Sequence, residues 1–334
     1  MMDVARLAGV SQPTVSFVLN DRRDVSVAED TRRRVLEAAR ELNFRVNRTA
    51  QQLRGGKSFA LGIVTDAIAS APYAGRTVRG IQEAVRDRGY VCMLVDTGGD
   101  PQIEEDGVKG LIDRGIAGVI YAPAHVQYVK PTAQLHEVPT VFVNCWPPKG
   151  FRGPIVVADE YNGGLTAATT VFSRGHRRVA LLGGSHDEWA AIERKRGFVD
   201  AARKAGVTGR LRILDGDFSV DSGYELTRKV FRSRTSPPTA LVMGNDRMAI
   251  GALLALHELS LRVSDDVSLV GYDDQQDIAS QLRPRLTTVA LPHYELGHTA
   301  GLLITDQDTP HPDGPLMINC PGIERDSVGP PPER

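Results

Sequence analysis

The sequence has few cysteines and no long apolar stretch, and each absence excludes a class of protein. Its three cysteines, Cys92, Cys145 and Cys320, are too scattered for a CxxC metal or redox site, and the odd count predicts isolated thiols. No run of about 18 apolar residues is present that could span a bilayer. The chain begins with an amphipathic pattern rather than a signal peptide. We therefore expect a soluble, cytoplasmic protein that does not associate with membranes.

Signatures of catalysis are also missing. The sequence contains no P-loop, no nucleophile elbow, no HExxH zinc motif and no convincing pair of acid and base residues. We expect His176, His186 and His293 to lie at the surface or in loops. The expectation is a protein without enzyme activity, metal or cofactor, although two-lobed α/β folds also host catalysis and fold alone does not fix function.

What the sequence does contain is most specific in its first twenty residues, which have the pattern of two short helices that meet at Gly9. Ser11 is placed to cap the second helix. The residues with the spacing of a shared buried face are Val4, Leu7, Val10, Val15, Val18 and Leu19. This pattern is typical of a helix-turn-helix, whose second helix lies in the DNA major groove. The alternative is a helical corner of a larger all-α core.

Residues 26–42 predict a third helix that closes a small core. Ser26 and Glu29 have the spacing of a capping box at its start. The apolar residues that then recur at helical spacing are Val35, Leu36, Ala39 and Leu42. The second helix would then present Gln12, Pro13, Ser16 and Phe17 to base edges.

Charge is divided unequally along the chain. Residues 1–57 contain 11 Lys+Arg and 7 Asp+Glu, whereas the remainder contains 29 and 34. A basic module gains affinity for a polyanion by counterion release, and an acidic body discourages indiscriminate binding to nucleic acid. This division agrees with a DNA-binding head, although a charge run is usually only a solvated face.

From Ser58 onward the pattern changes to short apolar runs separated by amphipathic helical stretches. Four runs precede Asp159 (FALGIV, YVCMLVD, GVIYA and TVFVN), and four follow Arg177 (VALLGG, LRILDG, TALVMG and VSLVGYDD). Such runs predict strands of parallel sheets that are buried on both faces by helices. About 270 residues fit two α/β lobes better than one.

Three segments identify a family resemblance. They are DVARLAGVS followed by TVS and VLN within residues 3–20, NRTAQQLRGGK at 47–57, and GYDD at 271–274. In this order they resemble the LacI/GalR (lactose-repressor) family of bacterial transcription regulators. The resemblance implies a small all-α helix-turn-helix head and a two-lobed α/β body, similar to periplasmic binding proteins, with parallel sheets.

The resemblance also implies domain boundaries. The helix-turn-helix domain would occupy residues 1–46 and a hinge helix or linker residues 47–57, and the effector-binding and dimerisation body would occupy residues 58–334. Within the body, the first lobe would comprise about 58–158 plus 290–318, and the second about 159–289 plus the C-terminal tail. The chain would first cross between lobes at 159–162, then near 287–291 and 319–321.

For the DNA-binding head, the resemblance implies contacts from the second helix and from the hinge segment. In the family the hinge folds when two protomers meet at an operator, and the position of Leu53 matches a leucine that wedges into the minor groove and kinks the duplex. A flexible linker that ends at Gly55 and Gly56 is the other interpretation. The DNA-binding candidates are Ser11, Gln12, Pro13, Thr14, Ser16, Phe17, Asn20, Asn47, Ala50, Gln51 and Leu53.

Two residues of the head depart from the family pattern. Phe17 stands where many members have an arginine that donates two hydrogen bonds to guanine, and a phenyl ring donates none. We expect the guanine preference to be lost there, with Phe17 contacting a thymine methyl or spacing the helix; inward packing is the alternative. Val46 replaces the usual proline before the hinge, which leaves the linker less preorganised and predicts a modest loss of affinity.

For the body, the resemblance implies an effector site in the cleft between the lobes, where two-lobed folds bind small ligands. Arg194 would offer paired donors, Asp273 would accept hydroxyl protons, and Phe218 would form an apolar wall. Each of these residue types also has an ordinary structural role, such as a helix cap for Asn245 or Asp273. The effector-binding candidates are Tyr73, Asn144, Arg194, Phe218, Asn245 and Asp273.

Asn144 replaces the aspartate of several sugar-responsive members, so the usual hexose geometry is in doubt. A sugar or sugar derivative is the leading effector class, followed by a nucleobase or another small metabolite. The expectation is a homodimeric, ligand-responsive repressor that binds a near-palindromic operator in double-stranded DNA. A tetramer is not expected, because the tail GIERDSVGPPPER lacks a leucine heptad. The alternative is a ligand-binding protein of the periplasmic type.

Overall fold

The computed structural model describes residues 1–19, 25–44, 58–67, 71, 74–232, 236–275, 278–306 and 314–333. The chain forms two compact units, Met1–Ser58 and Phe59–Arg334. The smaller unit is all-α and the larger unit is α/β, which confirms the predicted fold class.

The head contains three helices, α1 (Met2–Ala8), α2 (Gln12–Leu19) and α3 (Glu29–Glu41). They enclose a core of small and β-branched side chains in which Val4, Val15 and Val35 are fully buried. Val10 and Leu19 pack against this core and are partly buried. In a core this small, the loss of one buried methyl group lowers stability noticeably, since each contributes a large share of the total buried area.

Two details of the predicted head are wrong. The third helix begins at Glu29, with Ala28 at the N-cap position and no side-chain cap hydrogen bond, so Ser26 does not form the capping box. Three leucines assigned to the core are exposed instead: Leu7 by 47%, Leu36 by 38% and Leu42 by 43%. The buried stripe of α3 is made by Val35, Ala38 and Ala39 instead.

The first lobe of the body is built on a six-stranded parallel sheet in the order β13-β7-β5-β3-β1-β2. Its helices α4 (Ala74–Arg86) and α5 (Pro101–Asp113) precede and follow β2, and α10 (His293–Thr305) packs along α4. The strands of this sheet are β1 (Ala60–Thr65), β2 (Val91–Asp96), β3 (Gly118–Tyr121), β5 (Thr140–Val143), β7 (Ile155–Ala158) and β13 (Leu316–Ile318). A small parallel pair, β4 (Gln127–Tyr128) and β6 (Cys145–Trp146), lies beside it.

The second lobe is built on a four-stranded parallel sheet in the order β11-β10-β8-β9. Helices α6 (Glu160–Phe172) and α7 (Trp189–Lys204) pack against each other, as do α8 (Val220–Phe231) and α9 (Asp246–Glu258). The strands are β8 (Val179–Leu182), β9 (Leu211–Leu214), β10 (Ala240–Met243) and β11 (Ser268–Val270). Two further short strands, β12 (Thr288–Val289) and β14 (Gly322–Ile323), form an antiparallel pair.

The eight predicted apolar runs all contain strands, but the expectation of four strands before Asp159 and four after Arg177 is too low. The described residues also form β4, β6 and β7 before Asp159, and β12, β13 and β14 after Arg177. Ile155–Ala158 adds β7 to the first sheet, between β5 and β13. The prediction of strands buried on both faces is also wrong for β2, where Val91 is 58% exposed and Leu94 is 43% exposed. The reason is position, since β2 lies at the edge of its sheet.

Segments after residue 314 add a strand to the first sheet and cover the edge of the second. In the first lobe, β13 pairs with β7. In the second lobe, the C-terminal tail lies along β11, where the Leu269 amide donates to the Ser327 carbonyl and the Ser327 hydroxyl donates to the Leu269 carbonyl. His176 lies in a loop, which is one of the two placements expected for it, but it is fully buried there; it contacts the Thr239 hydroxyl through Nδ1 and the Gly329 carbonyl through Nε2.

Candidate functional site

The turn between α1 and α2 has the geometry expected from its sequence. Gly9 lies in the left-handed region at φ 64°, and the amides of Gly9 and Val10 donate to the carbonyls of Arg6 and Ala5. This pattern closes the end of α1 and turns the chain sharply. The Ser11 hydroxyl then accepts a hydrogen bond from the Thr14 amide at 3.3 Å, which caps α2.

The structure separates the two faces of α2. Val15 and Val18 are buried in the head core. The predicted DNA-contacting residues lie on the other side: Ser11, Gln12 and Pro13 are exposed, and Thr14, Ser16 and Phe17 are partly exposed. The remaining predicted DNA-binding residues and Val46 lie outside the described residues: Asn20, Asn47, Ala50, Gln51 and Leu53.

A cavity of 460 Å³ lies between the two lobes of the body. Its volume falls in the range of pockets that bind small metabolites, about 300–1,000 Å³. Five of the six effector-binding candidates line it: Asn144 from the first lobe, and Arg194, Phe218, Asn245 and Asp273 from the second. Tyr73 lies outside the described residues.

Arg194, on α7, is held in place by a buried ion pair. Its Nε donates to Glu160 Oε2 at 2.8 Å and its Nη2 donates to Glu160 Oε1 at 3.0 Å. Its Nη1 donates to the Gly244 carbonyl at 2.7 Å, and the guanidinium lies over the Tyr272 ring at 3.7 Å. Burial alone would lower the pKa of Arg194, but the Glu160 carboxylate more than offsets it and raises the pKa above the ordinary value. The charge is therefore permanent and its orientation fixed.

Asp273, which follows β11, lies close to this pair without joining it. Its Oδ1 is 3.8 Å from Arg194 Nη2, which is too far for a direct hydrogen bond. Its backbone amide donates to the Val289 carbonyl, and its own carbonyl accepts from the Leu291 amide, so the chain that crosses between the lobes fixes its position. Burial raises the pKa of Asp273 to about 8, against the opposing effect of Arg194. An acceptor and a donor thus face the cavity with a gap between them.

Asn245 and Phe218 are connected to each other. Asn245 caps α9, since its side-chain oxygen accepts from the Met248 amide at 2.8 Å, and its side-chain nitrogen donates to the Phe218 carbonyl at 3.0 Å. The helix-cap interpretation of Asn245 therefore holds alongside its place in the cavity wall. The Phe218 ring lies against Gly184, where a Cβ atom would come within 1.9 Å of the ring.

Backbone conformation distinguishes the candidate residues. Asn144, Phe218 and Asp273 have φ values of 54°, 63° and 109°. Positive φ is uncommon for residues other than glycine, and such residues cluster at active and binding sites, where the surrounding structure holds them. Three of the five candidates that line the cavity thus depart from the ordinary backbone regions.

Matches to known proteins agree with both units. Residues 1–47 match the family model described as bacterial regulatory proteins, lacI family, and residues 168–328 match the periplasmic binding protein-like domain. The ribose operon repressor of Escherichia coli (strain K12) is 32% identical over 309 residues, which cover 90% of this chain and 90% of that protein. The chain belongs to the LacI family.

Solved structures of LacI-family proteins match the fold over the same regions. A lac repressor dimer bound to operator and the anti-inducer ONPF has a TM-score of 0.72 and 28% identity, and the match covers 97% of each chain. A LacI-family regulator from Enterococcus faecium with bound ribose has a TM-score of 0.64 and 26% identity, covering 81% of this chain and 99% of that one. As a member of the LacI family, the protein is a ligand-responsive, DNA-binding transcription regulator rather than an enzyme.

Two residues of this LacI-family cleft are missed by sequence reasoning. Glu160 is 2% exposed and holds Arg194, yet in the sequence it reads only as an acid in the first turn of a helix. The expectation that His293 lies at the surface or in a loop is wrong, since it is 6% exposed and lines the cavity as the first residue of α10. Burial lowers its pKa to about 4, with Arg76 and Arg194 contributing, so its ring is neutral at physiological pH. His186 is exposed, as expected.

Two further kinds of feature, metal sites and membrane-spanning helices, are not found among the described residues. No group of three or more His, Cys, Asp or Glu residues suited to a metal ion occurs in the described ranges. None of the described helices is both long enough and apolar enough to cross a membrane.

Proposed function

We propose that this protein is a cytoplasmic, homodimeric repressor whose affinity for a near-palindromic operator is changed by a neutral sugar or sugar derivative bound in the cleft. The observation that carries the proposal is the facing arrangement of Arg194 and Asp273 at the floor of the cavity. The E. coli ribose operon repressor and the ribose-bound E. faecium regulator support the effector class. The lac repressor dimer on its operator supports the assembly.

The cavity floor offers hydrogen bonds suited to hydroxyl groups. Arg194 has five N–H donors, of which the Glu160 and Gly244 contacts use three. One of the remaining donors and the Asp273 carboxyl can therefore share a single ligand hydroxyl, which both accepts and donates. Asn144 adds a neutral amide from the opposite lobe, and Phe218 adds an apolar surface for the C–H face of a sugar ring.

The charges of the floor favour a neutral ligand over an anionic one. The positive charge of Arg194 is already compensated by Glu160 in a bidentate pair, and His293 is neutral. A phosphate or carboxylate placed beside Asp273 would meet no uncompensated buried cation at the floor. Burying a charge without a partner is costly, so an anionic sugar should bind more weakly than its neutral counterpart.

On the DNA side, we propose that the exposed face of α2 reads base edges and that the segment 47–57 contributes minor-groove contacts when two protomers meet on the operator. Two heads related by a twofold axis would read half-sites of a palindrome. Phe17 cannot donate a hydrogen bond, so the base pair it faces should be selected for a thymine methyl rather than for guanine.

Effector and operator would be coupled through the lobes. In the proposed assignment, residues 58–158 and 290–318 form the first lobe, and residues 159–289 with the tail form the second. Because the cavity has walls from both lobes, a bound ligand changes the angle between them and so changes how the paired first lobes present the two hinge segments.

The experiment that tests the proposal is selection of bound sequences from random duplex DNA by the purified full-length protein. The selection is repeated with neutral pentoses and hexoses, their phosphates, and nucleobases. Enrichment of a palindrome whose binding responds to a neutral sugar supports the proposal. A response to nucleobases alone overturns the effector class, and a folded protein that enriches no sequence under any condition favours a ligand-binding body with a disabled head.

Matched variants separate the two roles. Asp273→Asn should retain operator binding and lose the response to the effector, because only the cleft is altered. Phe17→Arg should gain a guanine preference at one position of each half-site and leave the effector response unchanged. Loss of operator binding by folded Asp273→Asn in the absence of ligand would refute the separation.

A further inference from the structure

We propose that Trp146 and Trp189 form a clasp between the two lobes at the rim of the cleft, and that this contact sets how firmly the cleft closes. Their rings lie 4.5 Å apart between centroids, inclined by 58°. Trp146 belongs to β6 in the first lobe, and Trp189 is the first residue of α7 in the second lobe. The contact therefore joins elements that belong to different lobes.

The chain on both sides of the clasp leads directly into the cavity wall. Glu188 and Ala190, the neighbours of Trp189, line the cavity, as does Asn144, two residues before Trp146. The two tryptophan side chains are partly exposed and do not line the cavity themselves. The pair therefore lies just outside the ligand space, at the place where the lobes separate when the cleft opens.

A third aromatic ring supports Trp146 from within its own lobe. Tyr128, on β4, lies 5.3 Å from Trp146 between ring centroids, and β4 pairs with β6 through Gln127–Cys145 and Tyr128–Trp146. Gln127 lines the cavity. This pairing fixes Trp146 to the first lobe, so that rotation of the lobes must break the contact between the two tryptophans rather than move them together.

A contact of this strength favours the closed form of the cleft without holding the cleft permanently closed. An aromatic pair favours the joined arrangement by about two- to tenfold beyond the effect of buried area. A shift of this size in the ratio of closed to open forms changes the affinity of any ligand that binds the closed form by up to the same factor. This consequence for the effector depends on the proposed function, whereas the contact itself and its control of closure do not.

The sequence supplies the means to test the contact, because Trp146 and Trp189 are the two tryptophans of the whole chain. Full-length wild type is compared with Trp146→Leu, Trp189→Leu and the ring-conserving Trp146→Phe and Trp189→Phe. Tyr90→Leu removes a ring that contacts Phe59 within the first lobe and serves as the control. Near-ultraviolet circular dichroism and acrylamide quenching of fluorescence are measured without any ligand.

If the clasp forms in solution, the two indole rings couple. The wild-type dichroism spectrum then differs from the sum of the spectra of the two single-tryptophan variants. Each Leu variant should also raise the quenching constant of the remaining tryptophan by roughly twofold or more relative to its Phe counterpart. A wild-type spectrum equal to the sum, with equal quenching in the Leu and Phe variants, would overturn the contact.

Control of closure is tested by small-angle X-ray scattering of the same proteins. Trp146→Leu and Trp189→Leu should each increase the radius of gyration relative to wild type, and the double variant should increase it no further, since either change removes the same contact. Tyr90→Leu should leave it unchanged. Unchanged values in all variants would show that the rings touch without governing the lobes, and would refute the clasp. A failure of DNA selection would leave both of these measurements unaffected.

Discussion

Replacing Glu160 by glutamine should destabilise the body strongly, because the buried Arg194 charge loses its bidentate partner and keeps only the Asp273 carboxyl, 3.8 Å away. The two side chains are 3% and 10% exposed, and the pair is bidentate at 2.8 and 3.0 Å. Removing one partner of a buried pair costs about 3–5 kcal/mol. For a unit the size of the body, Phe59–Arg334, that corresponds to a fall in Tm of roughly 5–9 °C.

The assay is urea unfolding followed by tryptophan fluorescence. Both tryptophans lie in the body, at positions 146 and 189, so unfolding of the head does not contribute to the signal. Glu324→Gln is the matched control, since it makes the same substitution in the exposed pair between Glu324 and Arg174, and exposed pairs contribute little. Its midpoint should stay at the wild-type value.

A double variant distinguishes loss of the pair from simple loss of packing. Glu160→Leu combined with Arg194→Met removes both charges and keeps apolar volume, and such replacements are often neutral. We expect the double variant to recover most of the stability lost in Glu160→Gln. The reasoning is refuted if Glu160→Gln unfolds at the same urea concentration as Glu324→Gln.

Three further predictions concern the cleft and the head. Because burial raises the pKa of Asp273 to about 8, the folded protein binds this proton more tightly than the unfolded chain does, and stability declines as pH rises from about 4 to 8. Asp273→Asn should flatten the decline in urea midpoint between about pH 5 and 8, and parallel curves for the variant and the wild type would contradict the prediction. Gly184→Ala places a Cβ within 1.9 Å of the Phe218 ring and should lower the free energy of unfolding by about 1–3 kcal/mol. It should also weaken sugar binding measured by calorimetry. Unchanged binding would show that the ring is not part of the site. Val15→Ala, at a fully buried position, should destabilise the head by about 1–3 kcal/mol. The melting temperature of the head, followed by far-ultraviolet dichroism, should fall, while the unfolding transition of the body, followed by tryptophan fluorescence, should not change. A shift in the tryptophan transition would argue against separate unfolding of the two units.

The features of this protein that depend only on residues adjacent in sequence, such as turns and helix caps, are largely predictable from the sequence. The Gly9 turn and the Ser11 cap follow from backbone freedom and a short hydroxyl side chain, and both appear as expected. The capping box at Ser26 fails because the same spacing is compatible with a helix that begins three residues later. Apolar runs locate eight strands, but Ile155–Ala158 is not among them although it is as long as β3 and β5.

The candidate site is less predictable, because its chemistry depends on pairs that are distant in sequence. The resemblance places Arg194 and Asp273 near one ligand, but it does not reveal that Glu160, 34 residues before Arg194, neutralises the guanidinium. That pairing supports the proposal of a neutral ligand, because the guanidinium charge is already compensated. His293 was misjudged for a similar reason, since burial by both lobes, rather than its neighbours in sequence, determines its environment.

The late position of β13 and of the tail along β11 has a consequence for how the protein is made. A nascent chain that has been translated as far as residue 310 lacks β13, the partner of β7, and lacks the tail that lies along β11. Until those residues leave the ribosome, each lobe presents an open sheet edge of the kind that pairs with other chains. The head, whose three helices end at Glu41, has no such dependence. The head can therefore fold early in synthesis, whereas the body cannot complete its first sheet until residues 316–318 have been added.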